Sequence, residues 1–172
     1  MAGMEGLGRL FDTSVGIVPV DLSTGANTGF RVSMRNASCM TVLVFKAAAA
    51  SGTGDPALTI KSWNAATGGS SDTTTVTTDH YYKKAASTYA ITTAWTKVSI
   101  TATATPTLSS EAGNAGIYAF EILAAQLPDG YPFLEVDIAK AGTVAELGGV
   151  LYLPHDLQQG GRTPANLPTQ SI

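Results

Sequence analysis

The chain has 172 residues, a length at which a single domain with one hydrophobic core is the simplest expectation. Only 13% of the residues are charged, about half the fraction of an average soluble domain, and the net charge is −3 at pH 7. Because the few cations are scattered, we expect no nucleic acid among the direct partners. No apolar run reaches the roughly 18 residues of a membrane helix, so we expect no membrane partner.

The first thirteen residues contain frequent glycines and lack the apolar run of a signal peptide, so we expect synthesis in the cytoplasm. Cys39 is the only cysteine, which excludes an intrachain disulfide. We predict that residues 1–13 form an N-terminal arm. Its predicted contact residues toward other subunits are Leu7, Leu10 and Phe11.

Alternation of apolar and polar residues from position 14 onwards predicts β-strands. The segment "VGIVPV" is predicted as an edge strand, because Pro19 cannot donate a hydrogen bond to a neighbouring strand. In "TGFRVSMRN", Phe30, Val32 and Met34 share one face and alternate with polar residues. The segments "PALTIKSW" and "KVSITATAT" repeat this period, so each predicts a half-buried strand.

Two segments are apolar at consecutive positions: "MTVLVF" from Met40 to Phe45, and "IYAFEIL" from Ile117 to Leu123. Such runs are typical of central strands that are covered on both faces. With "FLEVDIA" and "GGVLYL" they complete a set of about eight or nine short strands, separated by turns that contain Pro and Gly. We therefore predict an all-β fold: a single antiparallel β-sandwich or jelly-roll-like domain over residues 14–153, with extended N- and C-terminal arms.

The last segment, residues 154–172, follows neither a strand period nor a helical period. We expect Pro154 to end the last strand, and the remainder to form an arm whose prolines reduce the entropy lost on docking. Apolar side chains in such an arm are predicted to contact other subunits. The predicted contact residues are Leu157, Arg162, Pro164, Leu167, Pro168 and Ile172.

Residues that could support catalysis or bind a metal are few. His80, His155 and Cys39 lack the spacing of a zinc motif, so we expect no metal site and no cofactor. Asp79 and His80 are neighbours in a predicted strand and should point to opposite faces, so they should not pair as part of a triad. The sequence also lacks a nucleophile elbow, a phosphate-binding loop and a dinucleotide-binding motif, and we expect no catalytic residues.

Two further patterns have a functional and a structural interpretation. Glu135 and Asp137 share one strand face and could act as a general acid and base, but their position opposite apolar residues favours a solvated outer face. Trp63 and Tyr81 could form a carbohydrate-binding surface, although large aromatic residues are more often part of a core or a protein interface.

The order of several segments resembles small virion structural proteins of tailed bacteriophages, in particular capsid decoration (cement) proteins. The segments that carry the resemblance are the "RVSM" strand, the central apolar strand, "DPALTI", "YYKK", the "LEV" strand, "AELGGVLYL" and the closing "PANLPTQSI". The resemblance extends from about Val15 to Ile172 as a pattern of spacings.

This resemblance implies a β-sandwich that is made in the host cytoplasm, attaches to the outer surface of the phage capsid and has no enzymatic activity. The implied partners are the major capsid protein and copies of the chain itself, in dimer or trimer clusters. Subunit contacts repeated over the lattice would stabilise the shell. A tail-tube or head–tail adaptor subunit is an alternative among virion proteins, and a carbohydrate-binding β-sandwich module is an alternative from a different class.

Overall fold

The computed structural model describes residues 7, 10–49, 54–86, 94–109, 111 and 113–157. Within these residues the chain forms ten β-strands and one 3-10 turn, Ala124–Gln126. In the described residues, no helix is long and apolar enough to cross a bilayer. The strands are β1 (Ser14–Asp21), β2 (Val32–Ser33), β3 (Ala37–Lys46), β4 (Leu58–Trp63), β5 (Ser71–Asp72), β6 (Thr78–Ala86), β7 (Thr96–Thr103), β8 (Ala115–Leu123), β9 (Phe133–Ile138) and β10 (Leu147–Leu157).

The strands form two antiparallel sheets that pack as a sandwich-like single domain, which confirms the predicted fold class. The larger sheet has the strand order β1-β10-β3-β8-β6-β7, and the smaller sheet has the order β2-β9-β4-β5. The two strands with continuous apolar runs, β3 and β8, are neighbours in the middle of the larger sheet. β1, which contains Pro19, lies at its edge.

Aromatic residues of the larger sheet fill much of the space between the sheets. Tyr81, Tyr118, Phe120 and Tyr152 are buried, and the rings of Tyr81 and Phe120 lie 5.3 Å apart. The backbone N–H of Val136 in β9 donates a 2.8 Å hydrogen bond to the Tyr152 hydroxyl, which links the two sheets. Burial raises the pKa of Tyr118 and of Tyr152, so both phenols stay neutral inside the core.

The ends of two predicted elements differ from the sequence expectation. Alternation predicts that Phe30 is buried with Val32 and Met34, but Phe30 precedes β2 and is exposed. Pro154 does not end the last strand, because β10 stays paired with β3 as far as Leu157. The backbone carbonyl of Pro154 accepts a 2.8 Å hydrogen bond from the N–H of Asp12, so this part of β10 is bonded on its other side as well. The strand therefore extends past the predicted domain boundary at residue 153.

Candidate assembly surface

The outer face of the larger sheet, the face turned away from the core, is composed of alternate residues of its strands. In β3, Val42 and Val44 enter the core, while Leu43 and Phe45 point outward. The neighbouring strands β8 and β10 follow the same alternation. Because these strands are apolar at consecutive positions, the outer face receives apolar side chains as well as the core.

One row of paired residues crosses this face from β1 to β6. Val15 pairs with Leu151, Leu151 with Leu43, Leu43 with Ala119, and Ala119 with Tyr82. All five side chains are apolar or aromatic, and paired side chains on one face of a sheet contact each other. Val15 is 42% exposed and Leu151 is 37% exposed. Leu43 and Tyr82 are half-buried and Ala119 is buried, so the row is an apolar band that is most exposed at its β1 end.

Aromatic and aliphatic side chains widen this band on both sides. The Phe45 ring packs directly on Gly149: a Cβ atom built at Gly149 would lie 2.8 Å from the ring, too close for any side chain there. Trp95 is 47% exposed and borders an open concavity of about 380 Å³, whose lining residues are Thr41, Leu43, Tyr82, Trp95, Ala119 and Glu121. We refer to the following residues together as the apolar face: Val15, Leu43, Phe45, Tyr82, Trp95, Ile117, Ala119 and Leu151.

The described contact residues of the two predicted arms meet at one corner of the larger sheet. Phe11 forms isolated bridges with Leu7 and with His155, beside the end of β10. Leu7 and Leu10 are exposed, and Leu157 is partly buried in β10. The remaining predicted contact residues lie outside the described part of the chain: Arg162, Pro164, Leu167, Pro168 and Ile172.

Polar residues interrupt the outer face next to this corner. Thr41 donates a 2.9 Å hydrogen bond to Glu121 Oε1, and Thr41 Oγ1 lies 3.2 Å from His155 Nε2. Cys39 lies directly opposite His155 in the pairing of β3 with β10. Burial, followed by a hydrogen bond to Asp156, raises the pKa of the Cys39 thiol. In the described part of the chain these residues include the group best suited to hold a metal ion: Cys39, His155 and Asp156.

The outer face of the smaller sheet carries charge. Glu135 is 3% exposed and accepts hydrogen bonds from Arg31 Nε at 3.2 Å and from Lys61 Nζ at 3.3 Å. Asp137 forms an ion pair with Lys61. We call Arg31, Lys61, Glu135 and Asp137 the ionic face. Glu135 and Asp137 share an outer face as predicted, but Glu135 is buried beneath its cations and is not solvated.

The electrostatics of this face favour stable ion pairs. Desolvation alone would lower the pKa of Lys61, but the hydrogen bonds and charges of Asp137 and then of Glu135 outweigh it, and the pKa is raised. Both carboxylates thus face a charged lysine, and Glu135 faces the Arg31 guanidinium as well. This arrangement suits a structural network better than general acid–base catalysis, which needs a carboxyl group free to exchange protons.

The aromatic residues considered for carbohydrate binding are covered. Tyr81 belongs to the core, where no ligand can stack on it. The guanidinium carbon of Arg31 lies 3.4 Å from the centre of the Trp63 ring, so the cation covers this indole. Neither Trp63 nor Tyr81 therefore offers the bare ring face that sugar stacking requires.

Asp79 and His80 are paired, contrary to the sequence expectation. His80 Nδ1 lies 2.5 Å from Asp79 Oδ1, and the hydrogen bond with His80 lowers the pKa of Asp79. The register between β6 and β7 shifts between Thr78 and His80, which breaks the alternation on which the expectation depended. The pair lies on β6, which β3 and β8 separate from His155 in β10.

Comparisons with protein-family models, with curated proteins and with solved structures give no match for this chain. Its function is therefore inferred from its own sequence and surfaces. Among the described residues, the apolar face combines three of the exposed large hydrophobic side chains, Val15, Trp95 and Leu151, on one sheet.

Proposed function

We propose that the chain is a structural subunit of a phage virion that decorates the outer surface of the capsid and stabilises the shell through contacts with other subunits. The observation that carries the proposal is the apolar face of the larger sheet, on which Val15, Trp95 and Leu151 are exposed. A contiguous apolar patch on a soluble domain marks an interaction site. The sequence resemblance to decoration proteins supplies the kind of partner, which is the major capsid protein.

Burial of the apolar face supplies the binding free energy in this proposal. Removing apolar surface from water contributes about 25 cal/mol per Å², and the ordering of two partners offsets part of that gain. The low charge fraction of 13% fits such a surface, because few charges have to be desolvated on contact. A modest affinity per copy becomes large when many copies bind one lattice and also contact each other.

In this proposal, copies of the chain contact each other at the corner where Phe11 meets the end of β10. Leu10 is exposed there, next to Phe11 and the edge strand β1. A sheet edge has unpaired backbone groups that a segment of another copy can pair with. In β1 the Gly16 carbonyl already accepts a 2.7 Å hydrogen bond from the N–H of Phe30, so the other groups of this edge are the ones assigned to the contact. The proposed clusters are dimers or trimers that form through this corner and through the predicted contact residues of the C-terminal arm.

The first test is a binding assay with capsids that have been stripped of the decorating protein. Leu43→Arg places a charge in the middle of the apolar face, and we expect it to abolish co-sedimentation with capsids while the circular dichroism of the free chain stays unchanged. Phe30→Lys is the matched control, because Phe30 is also an exposed large apolar residue but lies outside the apolar face. Full binding by Leu43→Arg would exclude the apolar face as the capsid contact.

The second test is the number of copies in purified particles relative to the major capsid protein. A ratio close to the number of lattice positions is expected for decoration, whereas a few copies per particle would favour the adaptor alternative. Rings or tubes formed by the purified chain in negative-stain images would also favour an adaptor or a tail subunit. Small clusters of defined size are expected for a decoration protein.

The predicted role of the C-terminal arm is tested by a truncation after Leu157. This end point keeps all of β10, whereas a cut at Pro154 would remove residues that pair with β3. We expect the truncated chain to fold with an unchanged thermal midpoint and to lose its attachment to capsids. Full occupancy of the truncated chain on capsids would show that the arm is not needed for attachment.

A further inference from the structure

We propose that Cys39, His155 and Asp156 form a binding site for a divalent metal ion of the zinc type. The inference does not depend on the proposed function, because it uses a different group of side chains. A thiolate, an imidazole and a carboxylate are ligand types that zinc accepts, and three protein ligands leave the fourth tetrahedral position open to water.

Strand pairing brings the first two ligands together. Cys39 in β3 lies directly opposite His155 in β10, and both occupy outward positions of the larger sheet. Strict alternation would turn Asp156 to the other face. Asp156 instead has a left-handed backbone with φ of 52°, which breaks the alternation at this point. One ligand atom from each of the three residues lies within 4.8 Å of the other two.

The surroundings of His155 support the assignment, because its two ring nitrogens have different neighbours. Nε2 lies 3.4 Å from Glu121 Oε2 and 3.2 Å from Thr41 Oγ1, while Nδ1 lies 3.6 Å from Asp156 Oδ2. A histidine that binds a metal through one nitrogen commonly donates the other N–H to a carboxylate, which fixes the ring. When His155 donates its Nε2–H to Glu121, the lone pair of Nδ1 faces the Asp156 carboxylate. Two electron-rich atoms then face each other, and a cation between them would accept electron density from both.

The spacing of the three ligands is close to that of a bound metal. Bonds of about 2.3 Å to sulfur and about 2.0 Å to nitrogen or oxygen place the ligand atoms of a tetrahedral zinc about 3–4 Å apart. The side chain of Asp156 is 71% exposed, so it can rotate and close the remaining gap. Binding forms the metal–sulfur bond and releases the thiol proton to water.

A metal at this position would also join structural elements. Cys39 belongs to β3, while His155 and Asp156 belong to the end of β10. Phe11, at the root of the N-terminal arm, bridges to His155. A bound ion would therefore stabilise the corner at which Phe11 meets the end of β10, and it should raise the thermal midpoint because the site exists in the folded state.

The experiment uses the full chain after reduction and removal of metals with a chelator. Co²⁺ is added first as a spectroscopic probe, and Zn²⁺ is then used to displace it. We expect one Co²⁺ per chain, with the strong visible absorption of four-coordinate cobalt and a thiolate-to-cobalt charge-transfer band in the near ultraviolet. A wild-type spectrum of six-coordinate cobalt without the charge-transfer band would overturn the proposal.

Single substitutions test which residues are the metal ligands, through the Co²⁺ spectrum and affinity of each variant. We expect Cys39→Ser to remove the charge-transfer band, and Glu121→Gln to keep the band but weaken the affinity about tenfold, as for an orienting carboxylate. His155→Gln and Asp156→Asn should weaken the affinity more than Glu121→Gln does. His80→Gln is the matched control, because His80 also contacts a carboxylate but belongs to β6.

Asp156→Asn keeps the test valid if another variant fails to fold, because its side chain is mostly solvent-exposed and asparagine tolerates the same backbone. Circular dichroism of each metal-free variant checks the fold. Equal Co²⁺ affinity of the wild type, Cys39→Ser and Asp156→Asn would place any bound ion elsewhere and would refute the assignment.

Discussion

The outer faces of the two sheets differ in what covers them. On the ionic face, Arg31 and Lys61 cover the carboxylate of Glu135, and Arg31 also covers the indole of Trp63. Additional hydrogen bonds fix the Arg31 guanidinium, which donates to the backbone carbonyls of Ala65 at 2.9 Å and of Gly68 at 2.6 Å. The smaller sheet thus covers its outer face with side chains and loops of the same chain.

On the apolar face, the cover by described residues is sparser, and the cation nearest to Trp95, Lys84 Nζ, lies 5.1 Å from the centre of its ring. Val15 in the edge strand β1, Leu151 in the neighbouring strand β10, and Trp95, which directly precedes the opposite edge strand β7, are all more than a third exposed. The continuous apolar runs of β3 and β8 predict strands that are covered on both faces. In the described part of the chain, the outward side chains Leu43, Phe45 and Ile117 of these strands are only partly covered, which is the opening that the proposed partner would fill.

The largest expected effect concerns the ionic face. Glu135→Ala leaves the partly buried cations Arg31 and Lys61 without their shared carboxylate, and we expect the free energy of unfolding to fall by about 2 kcal/mol. Urea denaturation measures the loss. Asp129→Asn removes an exposed carboxylate outside the network and should change stability by less than about 0.5 kcal/mol. Equal effects of the two substitutions would show that the ionic face adds nothing specific.

A smaller loss of stability is expected on the apolar face. Leu151→Ser removes a side chain that is already partly in water, so we expect the isolated chain to lose about 1 kcal/mol or less. Its neighbour Val150 is fully buried, and Val150→Ala should cost about 2 kcal/mol. Urea denaturation of both variants compares the outer and inner positions of one strand. A larger loss for Leu151→Ser would mean that the chain itself covers the apolar face.

Several parts of the fold could be predicted from the sequence, because half-buried strands have a period of two. The segment "PALTIKSW" identifies β4, since Leu58 and Ile60 are buried where alternation places them. Pro19 likewise predicts an edge position, because proline lacks the N–H that a central strand needs. Such signals are local, and each can be recognised within one strand.

The candidate site could not be predicted in the same way, because it depends on pairing between distant strands. The register of β3 with β10 brings Cys39 opposite His155, and no local sequence pattern predicts that register. The left-handed backbone of Asp156 also lies outside a simple alternation. The apolar face had a sequence signal in "MTVLVF" and "IYAFEIL", but that signal does not distinguish cover by the same chain from cover by another subunit.

The pH dependence of stability should separate the two faces further. The raised pKa of Lys61 means that its stabilising contribution is fully present below its unfolded pKa of about 10.5 and is lost as the pH rises through the higher folded pKa. We therefore expect the stability difference between the wild type and Lys61→Met to be constant near neutral pH and to shrink above about pH 10.5. Urea denaturation at each pH gives this difference.

Lys97→Met is the control for this titration, because Lys97 is an exposed lysine of β7 in the larger sheet. Its stability difference from the wild type should change little over the same alkaline range. A difference for Lys61→Met that stays constant through alkaline pH would contradict the role assigned to Asp137 and Glu135.

Each face has one of the two tryptophans, so fluorescence quenching can compare the solvent access of the two faces without measuring stability. Trp63 lies under the Arg31 guanidinium, whereas Trp95 is 47% exposed on the apolar face. Trp95→Phe and Trp63→Phe each leave a single indole, and acrylamide, which is uncharged, should quench Trp95 more strongly than Trp63 in the free chain. On capsid binding we expect quenching of Trp95 to fall while that of Trp63 stays constant. Protection of Trp63 alone would instead identify the ionic face as the side that meets the partner. Trp63 already lies under Arg31, so its quenching can fall further only if a subunit docks over Arg31.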